Sequence, residues 1–314
     1  MQVIYRAARV FADEGFGGLF RRVGRKVAGR RATPAESPEA VLARTVATAD
    51  ASYQRQAEAF RARTRELGHT GLEHYYWYHT IDLGNGLVTP GDYDFRDQLP
   101  AFDFPANMSG MRALDVGSAT GFFAFEFERR GAATTSVELP SLAAWDMIYS
   151  EREAIVADVV RHHHASSVEQ AYERHLDGPF RFCHAALKSR VRRCYCPVYD
   201  VSLEKVGEPF DLVYAGDLLL HLFSPFAALN ALASVCRGTL MLTIDLPFPG
   251  ADEQPVIALS NKEEGRSWCA ISRGWAECAL RRLGFATVET VGRYEGIARC
   301  TQRQYIREVI RATR

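Results

Sequence analysis

The chain has 314 residues, 47% of them hydrophobic, enough for a large core in one extended or two small domains. Lys plus Arg (38) equals Asp plus Glu (38), so the zero net charge gives no support to a nucleic-acid partner through counterion release. No run of about 18 apolar residues is present, and the N-terminus lacks the apolar core of a secretory signal, so no membrane span and a cytoplasmic location are expected.

Residues 1–67 read as an N-terminal helical extension. Phe16, Leu19, Phe20, Val23 and Val27 recur at helical spacing, with Arg21, Arg22, Arg25, Lys26, Arg30 and Arg31 crowding the second half. Two readings stand for residues 16–31: a basic amphipathic helix making weak contact with an anionic membrane surface, or one packed on its own domain with arginines in water. A proline-interrupted linker at 30–40 leads to a second helix from Ala40 to Leu67, closed by Gly68. Residues 68–111 form an aromatic segment, EHYYWYHTIDLGNGLVTPGDYDF, with turn signals at Gly84-Asn85-Gly86 and Pro90-Gly91.

From Arg112 to about 302, strands and helices alternate, which predicts an α/β domain with a mostly parallel sheet. Strands are expected near 112–116, 133–138, 193–199, 211–216, 238–245, 286–291 and 296–302. Helices are expected near 121–130, 141–149, 153–175, 180–188, 224–235 and 272–283. The last two strands, separated by Gly-Arg-Tyr-Glu, must pair antiparallel because so short a turn permits no crossover. Residues 150–178 exceed a minimal crossover and read as a helical insertion, capping a substrate pocket or making a homo-oligomer contact. Residues 303–314 are left as a C-terminal tail. Seven scattered cysteines without a CxxC pair argue against a disulfide framework and a zinc site; Cys194 and Cys196, flanking Tyr195, share one strand face as buried thiols. Adjacent residues of the triplet His162-His163-His164 diverge on a helix and cannot converge on one ion, so no metal is expected.

The chemistry starts at RALDVGSATGFF. A dinucleotide turn reads G-x-G-x-x-G, but here Gly117-Ser118-Ala119-Thr120-Gly121 lacks the middle glycine. Asp115 precedes the turn, an anion that suits an amino group or sulfonium better than a diphosphate. Glu138, ending the second strand beside Leu139, can accept both hydroxyls of a ribose. Asp200, with Tyr199 and Val201 beside it, stands at the third strand end for an adenine amino group. Ala215-Gly216 at the fourth opens room for a ligand tail. All lie at the carboxyl edge, where open α/β sheets bind ligands.

These motifs resemble those of class I S-adenosylmethionine-dependent methyltransferases over residues 108–302. The resemblance implies a seven-stranded Rossmann-like sheet with an antiparallel terminal hairpin, S-adenosyl-L-methionine as cofactor, Asp115, Gly117 and Gly121 beside its methionine moiety, Glu138 on the ribose and Asp200 at the adenine. A narrower resemblance, carried by WYHTIDLGNGLVTPGDYDF, VELPSLAAWDM and GDLLLHLFSP, is to the family of tRNA wobble-uridine carboxymethyltransferase-like proteins, in which the aromatic segment closes over the cofactor as a lid. That tRNA enzyme holds a carboxylated cofactor with cationic side chains, whereas residues 68–111 offer no lysine and only Arg96. Ordinary methyl transfer to a small-molecule acceptor, as an O-methyltransferase of a natural product or sugar in biosynthesis, is therefore the expected function. The alternatives are a tRNA-modifying enzyme and a non-catalytic scaffold.

Methyl transfer to a hydroxyl needs an aligned acceptor and a proton acceptor. His79 in the lid, His221 after the fourth strand and Asp217 are the candidate catalytic residues, with Asp245 behind them. Trp77 and Tyr78 are expected at the cofactor or around the acceptor. Arg266, Trp268 and Arg273 are expected to line the substrate side.

Overall fold

The computed structural model describes residues 38–246, 248, 252–260 and 267–314. The expected basic helix at 16–31, the linker up to residue 37 and Arg266 lie outside the described residues.

Nine strands are described. A seven-stranded sheet has the order β3-β2-β1-β4-β5-β9-β8, and β6 (Ile257–Leu259) pairs with β7 (Cys269–Ile271) in a separate ribbon. Strands β1 (Arg112–Val116), β2 (Ala133–Glu138), β3 (Arg192–Tyr195), β4 (Phe210–Ala215) and β5 (Cys236–Leu246) run parallel. β9 (Arg303–Thr313) is antiparallel to both β5 and β8 (Thr287–Ala298). The inner strands are apolar on both faces because helices cover both. This is the expected Rossmann-like α/β sheet with its antiparallel terminal hairpin.

One face carries an aliphatic core of Leu114, Val213, Leu229, Leu232 and Leu240 under helices α7 (Pro225–Val235) and α8 (Arg273–Arg282). The other is aromatic: Phe102, Phe104, Phe123, Phe127 and Tyr214 interlock beneath helix α2 (Phe122–Arg129) and the segment before β1. Helix α1 (Pro38–Glu66) closes this side, burying Ala57, Phe60 and Thr64 from its C-terminal half.

Three expectations are corrected. The terminal hairpin turns not at Gly-Arg-Tyr-Glu but at 299–302, and the supposed tail is β9, a central partner of β5. Gly292 is there for close packing rather than a turn: a Cβ would sit 1.8 Å from the Ala101 carbonyl oxygen. The expected helix at 141–149 is a single 3-10 turn, Leu142–Ala144, after which Trp145 is extended. The expected helix at 153–175 breaks into α3 (Arg152–His162) and α4 (Val168–Tyr172), with His164 left-handed at φ +49° and Ser167 capping α4 through the Gln170 N–H. A π turn (Glu173–Asp177) then carries α4 into α5 (Gly178–Ala186), and the short α6 (Leu203–Val206) follows β3.

Candidate functional site: the carboxyl edge of β1, β2 and β4

β1 delivers its chain into a turn built from left-handed residues: Gly117 (φ +71°), Ala119 (φ +46°) and Gly121 (φ +91°). A Cβ on Gly121 would lie 2.7 Å from the Phe125 ring and 2.8 Å from that of Phe180, so glycine answers both conformation and space. Ala119 has no such freedom, and a left-handed L-residue costs roughly 1–2 kcal/mol. Both ends of Ala119 are held. Its N–H donates to Glu138 Oε2 at 2.8 Å, and its carbonyl accepts from Arg193 Nη2 at 3.2 Å.

Asp115 is 2% exposed. Oδ2 accepts the Ala124 N–H at 3.0 Å, the third amide of α2, whose N-cap Gly121 has no side chain to do so. Among the described residues Oδ1 accepts nothing. Burial pushes this carboxyl from 3.8 up to about 7, against the Ala124 hydrogen bond and the Arg193 charge, which pull it down. Asp115 is thus both a helix cap and an acid whose charge awaits a cationic partner.

Glu138 is 7% exposed, with Oε1 accepting the Leu139 N–H at 2.9 Å. Each carboxylate oxygen can accept a second bond, so two hydroxyls can still be held. Ser118 lies against Ser136 (Oγ to Oγ 2.6 Å), and Arg193 Nη1 donates to both hydroxyls at 2.7 and 2.9 Å. Arg193 was not among the residues singled out in the sequence; only the register pairing Ser136 with Arg193 across β2 and β3 could have signalled it.

Beyond β3, Tyr199 and Asp200 lie on a 3-10 turn followed by buried Val201. The Asp200 carboxylate faces solvent and pairs with Lys205 Nζ at 3.2 Å. Tyr199 OH donates to Asp146 Oδ2, which also accepts the Phe223 N–H at 2.7 Å. Trp268 donates Nε1–H to the Asp146 carbonyl at 2.9 Å, its ring 5.5 Å from Phe223. Trp268 therefore belongs with the β3 and β4 ends, on the Tyr199 side. Arg273 pairs with Asp252 (3.6 Å) and Glu308 (3.4 Å).

The aromatic segment, residues 68–111, meets the turn at Thr120. Its strand-like segments meet in bridges between His79 and Tyr93 and between Asp82 and Val88. His79 donates its N–H to Thr120 Oγ1 at 3.1 Å, and its Nδ1 lies 3.1 Å from the same oxygen. Ringed by Phe95, Phe122 and Phe123, it is 5% exposed, and burial pushes its pKa down to about 3. These contacts tie the aromatic segment to the turn at Thr120. Trp77 packs edge-on against Phe60, Tyr75 and Phe182. Tyr78 stacks on Tyr93 at 4.8 Å, its phenol in the field of Asp217 and Arg307. His221 is exposed on a 3-10 turn, Leu219–His221.

Asp217 lies two residues past Ala215, the end of β4, left-handed at φ +48°. Its Oδ1 accepts from Thr243 Oγ1 at 2.8 Å and from Arg307 Nε at 2.6 Å, and its N–H donates to Thr243 Oγ1. Arg307, 3% exposed on β9, also bonds Asp245, its cross-strand partner. The two acids hold its pKa above the ordinary arginine value although burial opposes them. Asp217 is among the charges that raise the pKa of Tyr78, Tyr93, Tyr214, Tyr294 and Tyr305, so it sits amid phenols. Leu218, next along, lies 3.1 Å from where a Gly117 Cβ would be, so the acid adjoins the glycine turn. Arg307 was invisible to a search for cations confined to the lid segment.

No family model matches the chain, and no curated protein matches it. Among solved structures, it is similar to the N-terminal domain of EvdMO1 in the presence of SAH and D-fucose, at 16% identity and a TM-score of 0.44, over 81% of this chain and 96% of that one. It is also similar to magnesium protoporphyrin IX methyltransferase (ChlM) from Synechocystis PCC 6803 with bound SAH, at 13% identity and a TM-score of 0.40, covering both chains fully. An S-adenosylmethionine-dependent methyltransferase from Mesorhizobium loti is similar at 15% identity and a TM-score of 0.42, over 70% of this chain and 97% of that one.

Proposed function

We propose that the chain is an S-adenosylmethionine-dependent methyltransferase acting on a small molecule, as an O-methyltransferase of a natural product or sugar. One observation carries this reading: two buried acids, Asp115 and Glu138, flank a glycine turn at the carboxyl edge of adjacent strands. The donor set fits the cofactor. Asp115, whose buried carboxyl gains from a nearby cation, suits the amino-acid end of a sulfonium nucleoside. Glu138 suits its ribose hydroxyls. When bound, the cofactor supplies an electrophilic methyl group.

The acceptor end falls to Asp217. Its Oδ1 is fixed by Arg307 and Thr243, while Oδ2 accepts nothing among the described residues. In this reading Oδ2 takes the acceptor hydroxyl's proton, leaving that oxygen able to receive the methyl group the bound cofactor would supply, with the cofactor's thioether as the leaving group. A small acceptor and an uncarboxylated cofactor are favoured over the tRNA reading by the cations beside Asp217 and in residues 68–111. Arg307 is already bonded to two aspartates, and Arg96 to Asp94 at 2.7 Å.

Calorimetry with S-adenosylhomocysteine tests the reading. Binding that is lost in Glu138→Ala is expected, followed by mass-spectrometric detection of one added methyl group on candidate acceptors. No heat of binding from the wild-type protein would overturn it.

A further inference from the structure

We propose that Arg193 is a positioning residue for the cofactor, locking the left-handed Ala119 and setting the charge beneath the glycine turn; this rests on the cofactor reading above. Three of its contacts reach the turn or the strand below it: Ser118 Oγ at 2.7 Å, Ser136 Oγ at 2.9 Å and the Ala119 carbonyl at 3.2 Å. Its guanidinium lies 3.9 Å from the Phe180 ring centre, a cation–π contact that fixes its plane. No carboxylate pairs with Arg193 at bonding distance among the described residues, and its Nε is buried without a partner. The Tyr195 ring lies 5.7 Å away on its own strand, and a cation held by hydroxyls, a carbonyl and aromatic rings rather than by a carboxylate leaves its field available to the nearest acids.

Those acids are Asp115 and Glu138. Arg193 is the cation that lowers Asp115, and Glu138 is the acid that raises it. The groups facing Asp115 are thus Arg193 from β3, Glu138 from β2 and the Ala124 N–H from α2, with the Tyr214 phenol on β4 in its field. Arg193 acts twice on one site. Mechanically it opposes the Glu138 pull on Ala119, holding the residue between the two glycines in a conformation it would otherwise leave. Electrostatically it favours the ionised Asp115 that a cationic ligand needs.

The test is calorimetry with S-adenosylhomocysteine from pH 6 to 9 on the wild type, Arg193→Lys and Arg193→Met. In the wild type, affinity should rise as pH increases through the Asp115 titration and then level. Arg193→Met should bind at least tenfold more weakly at neutral pH, with the midpoint of its profile moved up by half a unit or more. Arg193→Lys should keep the wild-type midpoint, since the charge remains, while binding a few fold more weakly. A purely structural role would weaken binding without moving the midpoint, and that result overturns the proposal, as does Arg193→Met binding within threefold of wild type. Should Arg193→Met not fold, Arg193→Gln, which also removes the charge, takes its place with the same two outcomes. Absence of wild-type binding at every pH is a different failure, that of the cofactor assignment.

Discussion

Replacing Asp115 with asparagine should stabilise the fold while weakening the site. The native carboxyl titrates near 7 where the unfolded one titrates near 3.8, and burial is the main cause. Between those values the folded chain holds a proton that the unfolded chain has released, so native stability falls as pH rises from about 4 to 7 and is then level. At about 1.4 kcal/mol per unit, the three-unit rise corresponds to roughly 4 kcal/mol above pH 7. Asparagine keeps an oxygen for the Ala124 N–H but brings an amide N–H₂ into a buried place, at a cost of about 1–3 kcal/mol. The net gain at pH 8 is therefore about 2 kcal/mol, or roughly 4–8 °C in Tm at 2–4 °C per kcal/mol. Paired thermal melts of wild type and Asp115→Asn at pH 4.5, 6, 7 and 8 isolate this group, because other titrations cancel in the difference. The advantage of the variant should widen across that range, and its S-adenosylhomocysteine affinity should fall more than tenfold. A pH-independent difference, or a variant less stable at pH 8, would refute the reasoning.

The remaining predictions concern the lid, the turn and the acceptor end. His79 is neutral when folded, so as pH drops below 6.5 the unfolded chain gains a proton that the native one refuses until about pH 3. Stability should fall by about 1.4 kcal/mol per unit over that window, and acid titrations followed by circular dichroism should show the slope reduced in His79→Gln. Gly121→Ala should cost about 3 kcal/mol or more, from the left-handed backbone and the Phe125 and Phe180 overlap, measurable as a lower urea midpoint. Asp217→Asn should keep S-adenosylhomocysteine affinity within threefold while methyl transfer to an oxygen acceptor falls about 10²–10⁴-fold; unchanged turnover would remove Asp217 from the chemistry. Arg307→Met leaves Asp217 and Asp245 without their shared cation and should destabilise the fold by about 3–5 kcal/mol, read from the same urea midpoint.

Most of the sheet could be read from the chain because its signals are local. β1 and β4 follow short apolar runs, β2 a β-branched one, and the glycines of the β1 turn adopt the left-handed backbone that only they take freely. The terminal hairpin misled for a physical reason. Gly292 looks like a turn but answers the Ala101 carbonyl pressed against it, while the true bend, Arg299-Cys300-Thr301-Gln302, contains neither glycine nor proline. The candidate site divides in the same way. Acids at strand ends are visible in sequence, since position along a strand predicts the edge. Their partners are not: Arg193 reaches the turn only through strand register, and Arg307 reaches Asp217 from a segment read as a tail. His79 shows the limit for residue type, because the same imidazole serves as base or as anchor according to burial alone.

The bend between β8 and β9 bears on how the site opens. Arg299 sends its guanidinium to Thr80, Gly91 and Gln56, while the Arg299 and Cys300 amides bond the Asp92 carbonyl (3.0 Å) and carboxylate (2.7 Å). The aromatic segment is therefore riveted along one border to the sheet's outermost hairpin and to α1. A hinge on that side would have to rupture five bonds around a buried guanidinium. Opposite, the Tyr76 amide meets the Arg174 carbonyl at 2.9 Å, and Tyr75 reaches Glu173 only at 3.3 Å. On the proposed function, any movement that admits the cofactor would meet fewer hydrogen bonds along residues 75–76 and the π turn than along the hairpin.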